Sequence, residues 1–284
     1  MTAGALAGKV IVVTGATQGL GLALAEGLAH RLGAGDTVYL TGRNYERITQ
    51  AIDSLGSTSA EVRGEVLDVS HPDAAARFAE ELTRRHGGVD IVINNAVMRV
   101  GPDDDPATII DQYAQVNNFG TSRCLRAFTP LLRAGGRFLV VASSLGTLDY
   151  LAPVLWDRFE DLQTLDEVDE QVASWVEAVK DGSARGGPWP GFVNIPSKIG
   201  QVAAVRTLAA QRHDADAASD ILLAAVCPGM MNTPTSSVWW DVSDAPTPAQ
   251  AAVAVLDLVF DPITPEHYGE LVRHGEVLPW KPHR

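Results

Sequence analysis

The sequence predicts an α/β protein built on a doubly wound parallel sheet with helices on both faces, in a single domain spanning residues 1–284. Short β-branched runs alternate with helical segments along most of the chain, the order that parallel strands and their crossover helices require. The runs are apolar throughout rather than alternating with polar residues, as expected of strands covered on both faces. Repeats, low-complexity tracts and interdomain linkers are absent from the sequence, so one core accounts for the length.

The first element is Val10-Ile11-Val12-Val13, a buried strand, followed by Thr14, Gly15, Gly19 and Gly21 and a helix over residues 20–30. The spacing Thr-Gly-x-x-x-Gly-x-Gly puts glycines where a backbone must pass close to a pyrophosphate. It does so at a helix N-terminus, whose free N–H groups and partial positive charge favour an anion. Strand, turn and helix fall in the order of the dinucleotide-binding Rossmann fold. Residues 37–41 form the second strand, which ends in Gly42-Arg43-Asn44. An acid just past this strand would bond a free ribose 2′-hydroxyl. Arg43 stands there instead, and a guanidinium suits a 2′-phosphate, so NADP(H) is predicted over NAD(H).

A helix over 45–55 and a strand over 62–67 follow, the strand ending at Asp68-Val69. Asp68 can accept from an adenine amino group, cap the helix that begins near Pro72, or both. The fourth strand, 89–93, leads into Asn94-Asn95-Ala96. One long helix is predicted over 107–132, carrying Val116-Asn117-Asn118-Phe119-Gly120, before a fifth strand over 137–142 that ends at Ser143-Ser144.

The alternation then breaks. Residues 149–190 form an acidic insertion in which Leu165, Val168, Val172, Trp175, Val176 and Val179 recur at helical spacing. It closes with Gly182, Gly186-Gly187 and Pro188-Trp189-Pro190, and reads either as a packed surface helix or as a lid over the pocket. A helix over 196–212 carries Ser197-Lys198. The sixth strand, 221–227, leads into Pro228-Gly229-Met230-Met231-Asn232-Thr233 and then Trp239-Trp240. A helix over 248–260 and a short strand near 269–272 complete a seven-stranded sheet.

The net charge of −13, with acids and bases interspersed, argues against nucleic acid or an anionic membrane as partner. Cys124 and Cys227 each lie in an apolar run and read as buried free thiols of a reducing compartment. His30, His71, His86, His213, His267, His274 and His283 show no metal-ligand spacing, so no metal is predicted. Residues 1–9 lack the apolar core of a secretory signal and no run reaches membrane-spanning length, so a cytoplasmic protein is expected.

Taken together, the glycine turn 14–21, Asn94-Asn95-Ala96, Asn117, Ser144, Lys198 and Pro228-Gly229-x-x-x-Thr233 resemble the classical short-chain dehydrogenase/reductase family. The insertion, with Trp189-Pro190 ahead of the lysine helix, resembles its carbonyl-reductase branch, whose members are often monomeric because this segment covers the usual oligomer face. The resemblance implies that Gly15, Gln18, Gly19, Leu20 and Gly21 cradle the pyrophosphate of NADPH and that Arg43 holds the 2′-phosphate. It implies that Asp68 and Val69 contact adenine, and that Asn95 and Ala96 line the adenosine and ribose side. Lys198 is expected on the nicotinamide ribose, and Pro228, Gly229, Met230 and Thr233 on the nicotinamide. Ser144 is expected to meet the substrate carbonyl and Asn117 to order a water beside Lys198.

Two positions depart from the family pattern. Val97 replaces the glycine of Asn-Asn-Ala-Gly, and the catalytic Tyr-x-x-x-Lys reads Asn194-Ile195-Pro196-Ser197-Lys198. A phenol of lowered pKa can give a proton to a developing alkoxide, whereas a carboxamide can only donate a hydrogen bond. Phe192 is the nearest aromatic to that position, and Tyr150 is the closest tyrosine to Ser144, a candidate substitute at the mouth of the insertion. Loss of the acid costs about 10²–10⁴ in rate, but proximity of hydride donor and ketone alone supplies roughly 7–11 kcal/mol. A ketone bonded to a neighbouring phenol carries its own electrophile and proton source. The chain resembles, within the family, the atypical angucyclinone ketoreductases of the simocyclinone type. Its bias to arginine, with lysine only at positions 9, 180, 198 and 281, suits a GC-rich bacterial genome. Trp156, Trp189, Trp239, Trp240 and Met98 are expected near the mouth, where they suit a flat apolar ligand. The expected partner is an aromatic ketone, and the rival reading is a non-catalytic NADPH-binding regulator or scaffold.

Overall fold

A computed structural model describes residues 8–282. Residues 1–7, most of the span read for a targeting signal, and His283 lie outside the described residues. The elements are β1 (Val10–Val13), α1 (Gly19–Arg31), β2 (Thr37–Gly42), α2 (Tyr45–Leu55), β3 (Glu61–Val66), α3 (Ala74–His86), β4 (Val89–Asn94) and α4 (Pro106–Ala114). A π-helical turn (Gln115–Phe119) joins α4 to α5 (Gly120–Phe128). Then come β5 (Leu132–Val141), α6 (Leu165–Lys180), α7 (Asn194–Ala218), β6 (Leu222–Val226), α8 (Pro248–Phe260), β7 (Leu271–Arg273) and β8 (Glu276–Leu278).

The sheet runs β3-β2-β1-β4-β5-β6-β7-β8. The strand order reverses between β1 and β4, which opens a crevice at their carboxyl ends, the place where doubly wound sheets bind ligands. Because side chains alternate across a strand, Val10 and Val12 enter one core while Ile11 and Val13 enter the other. The first core packs under α3, α5, α6 and α7, and the second under α1, α2 and α8. Among the described residues no helix is long and apolar enough to cross a membrane. Cys124 and Cys227 are buried and free.

Two expectations are corrected, and a third is made specific. The long helix over 107–132 is broken by the π-helical turn and ends at a 3₁₀ turn containing Pro130; residues 132–136 join β5, Leu132 pairing with Val89 across a bulge. The sheet has an eighth strand. β8 returns antiparallel to β7 through His274-Gly275, both at positive φ (50° and 79°), the conformation of a two-residue hairpin turn. The insertion does contain a helix, α6, with Thr164 accepting from the Glu167 N–H at its start and Leu165, Val168, Val172 and Trp175 buried. That helix packs against α4 and α7, and none of residues 149–190 lines the main cavity.

Candidate functional site

The site begins with the turn after β1. The Thr14 hydroxyl oxygen accepts from the Asn95 and Ala96 N–H groups, both at 2.9 Å. Asn95 Nδ2 donates back to the Thr14 and Gly15 carbonyls at 3.0 and 3.1 Å. These bonds press the turn onto the end of β4, and only glycine fits so close. A Cβ at Gly15 would stand 2.7 Å from the Ala96 Cα, and one at Gly21 would stand 2.4 Å from the Gly15 carbonyl oxygen. Gln18, the residue before α1, makes no side-chain cap, and the first turn of α1 carries no acid. Its N–H groups therefore remain for an anion.

Arg43, at the end of β2, and Arg47, one turn into α2, line the adenosine end of the crevice. Neither guanidinium has a hydrogen-bond or ion-pair partner among the described residues. Asp68 lies on the same wall. Its Oδ1 accepts from the Ser70 N–H at 3.0 Å and hydroxyl at 2.7 Å, so it holds its own turn rather than capping α3, which starts after Asp73.

At the other end, Lys198 on α7 is only 7% exposed. Its ammonium donates to the Val141 carbonyl at 3.1 Å and to Gln201 Oε1 at 2.7 Å, and Gln201 Nε2 donates to the Thr121 hydroxyl at 3.0 Å. Burial lowers the Lys198 pKa to about 8, since a charged amine loses its hydration there. Asn194 is the first residue of α7, and Pro196 is tolerated two residues later because first-turn N–H groups have no partner inside the helix. Asn194 Oδ1 accepts from the Tyr113 hydroxyl at 3.0 Å. The Ser144 N–H donates to Cys227 Sγ at 3.1 Å.

One cavity of about 1020 Å³ joins these parts. Its walls include Gly15, Gln18, Gly19, Leu20, Gly21, Arg43, Asp68, Val69, Asn95, Ala96, Ser144, Asn194, Lys198, Pro228, Gly229, Met230 and Thr233. Asn117 stands apart from them. It is fully buried, its carboxamide bonded to the Met98 N–H (2.7 Å) and carbonyl (3.0 Å), so it braces the loop after β4. The mouth is formed by Met98, Phe192, Met230, Trp239 and Trp240, with the Phe192 and Trp239 ring centroids 5.2 Å apart.

Several expectations for the rim are corrected. Trp156 bonds the Leu151 carbonyl and Trp189 packs edge-on to Phe159, both away from the cavity. Tyr150 is 44% exposed and off the wall, so it is no substitute acid. The tyrosine beside Asn194 is Tyr113, whose phenol burial pushes up to about 12. Sequence reasoning passed over Tyr113, Arg47 and Arg99. Arg47 carried a signal, lying one helical turn past Arg43; the other two had none, because only packing brings them to the wall.

Residues 9–153 match the short chain dehydrogenase family. Carbonyl reductase (NADPH) 3 of Rattus norvegicus is 29% identical, over 96% of this chain and 98% of that protein. Among solved structures, salutaridine reductase from Papaver somniferum superimposes with a TM-score of 0.78 at 21% identity, covering 93% of this chain and 99% of that one. A short chain dehydrogenase from Burkholderia cenocepacia in complex with NADP gives a TM-score of 0.67 at 20% identity, covering 94% and 96%. With over half of its length matched and its whole fold shared, this chain belongs to the short chain dehydrogenase family.

Proposed function

We propose that this chain is an NADPH-dependent ketoreductase that reduces the carbonyl of a bulky aromatic polyketide, of angucyclinone type, in antibiotic biosynthesis without a tyrosine acid. The observation that carries the reading is the make-up of the cavity. In a protein of net charge −13 its walls gather Arg43, Arg47, Arg99, Lys198 and Arg273 against one carboxylate, Asp68. Such a balance suits a ligand with several phosphates. The close-packed glycine turn and the uncapped start of α1 fit a pyrophosphate, and Thr235 Oγ1 is buried at the wall without a partner. Relatives bearing NADPH in their names point the same way.

Bound there, NADPH supplies a hydride. Arg43 and Arg47 hold the 2′-phosphate, the α1 N-terminus holds the pyrophosphate, and Lys198 bonds the nicotinamide ribose. The apolar mouth of Phe192, Trp239, Trp240 and Met98 keeps a flat substrate in place. Asn194 Nδ2, whose Oδ1 is occupied by Tyr113, donates a hydrogen bond to the substrate oxygen, with Ser144 beside it. Asn194 carries no titratable proton and the Tyr113 hydroxyl proton is engaged by Asn194 Oδ1, so the proton comes from a phenol of the substrate next to the ketone, or from water.

The test is anaerobic NADPH consumption with a panel of aromatic polyketide ketones, each paired with its neighbouring-phenol methyl ether. Turnover that falls far more on methylation than on any substitution at Ser144 or Asn194 supports the reading. No turnover on any member, with NADPH binding retained, favours a non-catalytic NADPH-binding protein.

A further inference from the structure

Resting on the NADPH reading above, we infer that Arg99 is a cofactor-binding residue that closes over the pyrophosphate from the side opposite the N-terminus of α1. Arg99 lies in the loop after β4, outside the glycine motif. Yet, apart from the neighbouring residues and the backbone of α1 itself, its Nη2 is the one heavy atom among the described residues within 4 Å of the space that a Cβ at Gly19 would enter, at 3.9 Å. The guanidinium thus stands over the turn, facing its open side.

The loop is fixed on both sides of Arg99. Asn117 holds Met98 by both its backbone N–H and its carbonyl, and Trp239 Nε1 donates to the Val100 carbonyl at 3.1 Å. The arginine is therefore delivered by a braced backbone rather than by a free loop. Among the described residues it has neither a hydrogen-bond nor an ion-pair partner. Two acids of its own loop are turned elsewhere: Asp104 Oδ2 accepts from the Gly101 N–H at 2.7 Å, and the Asp105 carboxylate accepts from the Ala107 N–H and the Thr108 hydroxyl at the start of α4. A guanidinium that stands beside uncapped helical N–H groups, with no ion-pair partner among the described residues, matches a diphosphate that accepts from both sides. Partial burial lowers its pKa from the usual guanidinium value, with no carboxylate opposing the shift. Because Trp239 of the mouth braces the same loop, the pyrophosphate grip and the substrate rim share one support.

The test separates the two phosphate regions by ligand fragments, read by calorimetry on the whole protein. Arg99→Ala should weaken ADP-ribose, NADH and NADPH alike, by about tenfold or more for a lost charged hydrogen bond, and leave adenosine 2′-monophosphate unchanged. Arg43→Ala should do the converse, weakening NADPH and adenosine 2′-monophosphate while sparing ADP-ribose. Arg99→Lys should recover part of the loss. Arg99 is solvent-exposed with no protein partner, so its replacement leaves folding intact, which a thermal melt checks. Unchanged ADP-ribose affinity in Arg99→Ala, with the native protein binding NADPH, overturns the inference alone. A native protein that binds no dinucleotide overturns the cofactor reading and the inference with it.

Discussion

The Tyr113 hydroxyl donates to Asn194 Oδ1 at 3.0 Å, joining α4 to the first residue of α7. The bond occupies the amide oxygen and leaves Nδ2 without a protein partner among the described residues. The pair therefore leaves the Asn194 amide N–H groups free as donors and engages the Tyr113 hydroxyl proton. Asn194→Ala and Ser144→Ala should each keep kcat/KM within about tenfold, near 1.4 kcal/mol of barrier, in stopped-flow NADPH oxidation. Tyr113→Phe should do the same. Asn194→Tyr should give no large gain, since the ring would compete with an aromatic ligand for space. A loss beyond a thousandfold in Asn194→Ala, with stability and NADPH affinity unchanged, would make the amide the essential electrophile.

Cofactor choice should follow the arginines after β2. Arg43→Ala should weaken NADPH far more than NADH, by roughly 1.5–3 kcal/mol for a lost charged hydrogen bond. Arg47→Ala should act in the same direction, because both guanidiniums line the same end of the cavity without an acid partner. Equal affinity of the native protein for both dinucleotides would defeat this assignment.

Lys198 links stability to pH. Its folded pKa, lowered by burial to about 8, lies below its unfolded value of about 10.4. Between these values the unfolded chain binds more protons, so the native contribution to stability rises with pH across that window. Below about pH 8 the lysine is charged in both states and the burial penalty is in full force. The Tm of Lys198→Met relative to native should therefore be highest below pH 8 and fall as pH rises from 8 to 10. A difference that is flat with pH, measured without cofactor, would show that the ammonium is well solvated in the folded state.

The protein should be a monomer. The α6 helix buries Leu165, Val168, Val172 and Trp175 while packing against α4 and α7, so these flanks are already covered within the chain. Light scattering should return a mass near 30.2 kDa. A mass near twice or four times that would show that the insertion leaves an oligomer face open.

The mixture of legible and hidden features has a local cause. The β-branched runs, the glycine turn and the spacing of Asn94-Asn95-Ala96, Lys198 and Pro228-Gly229 are short-range patterns, and each is tied to one backbone geometry. From them the sequence determined the α/β class and the doubly wound, mostly parallel sheet. Even β8 had a local mark, His274-Gly275 between two short apolar pairs, Leu271-Val272 and Val277-Leu278, though it is only three residues long. Tertiary structure decided what depends on contacts across the chain. Tyr113 and Asn194 are 81 residues apart, and no periodicity pairs them. Arg99 stands near Gly19 on a loop braced by Asn117 and Trp239, two residues far from it in sequence. The insertion's apolar stripe announced a helix but not its partner, since any apolar surface can bury it. Packing against α4 and α7 placed it at the side of the fold and left the cavity mouth to Phe192, Trp239 and Trp240: hydrophobic burial is non-directional, and shape decides where it is satisfied.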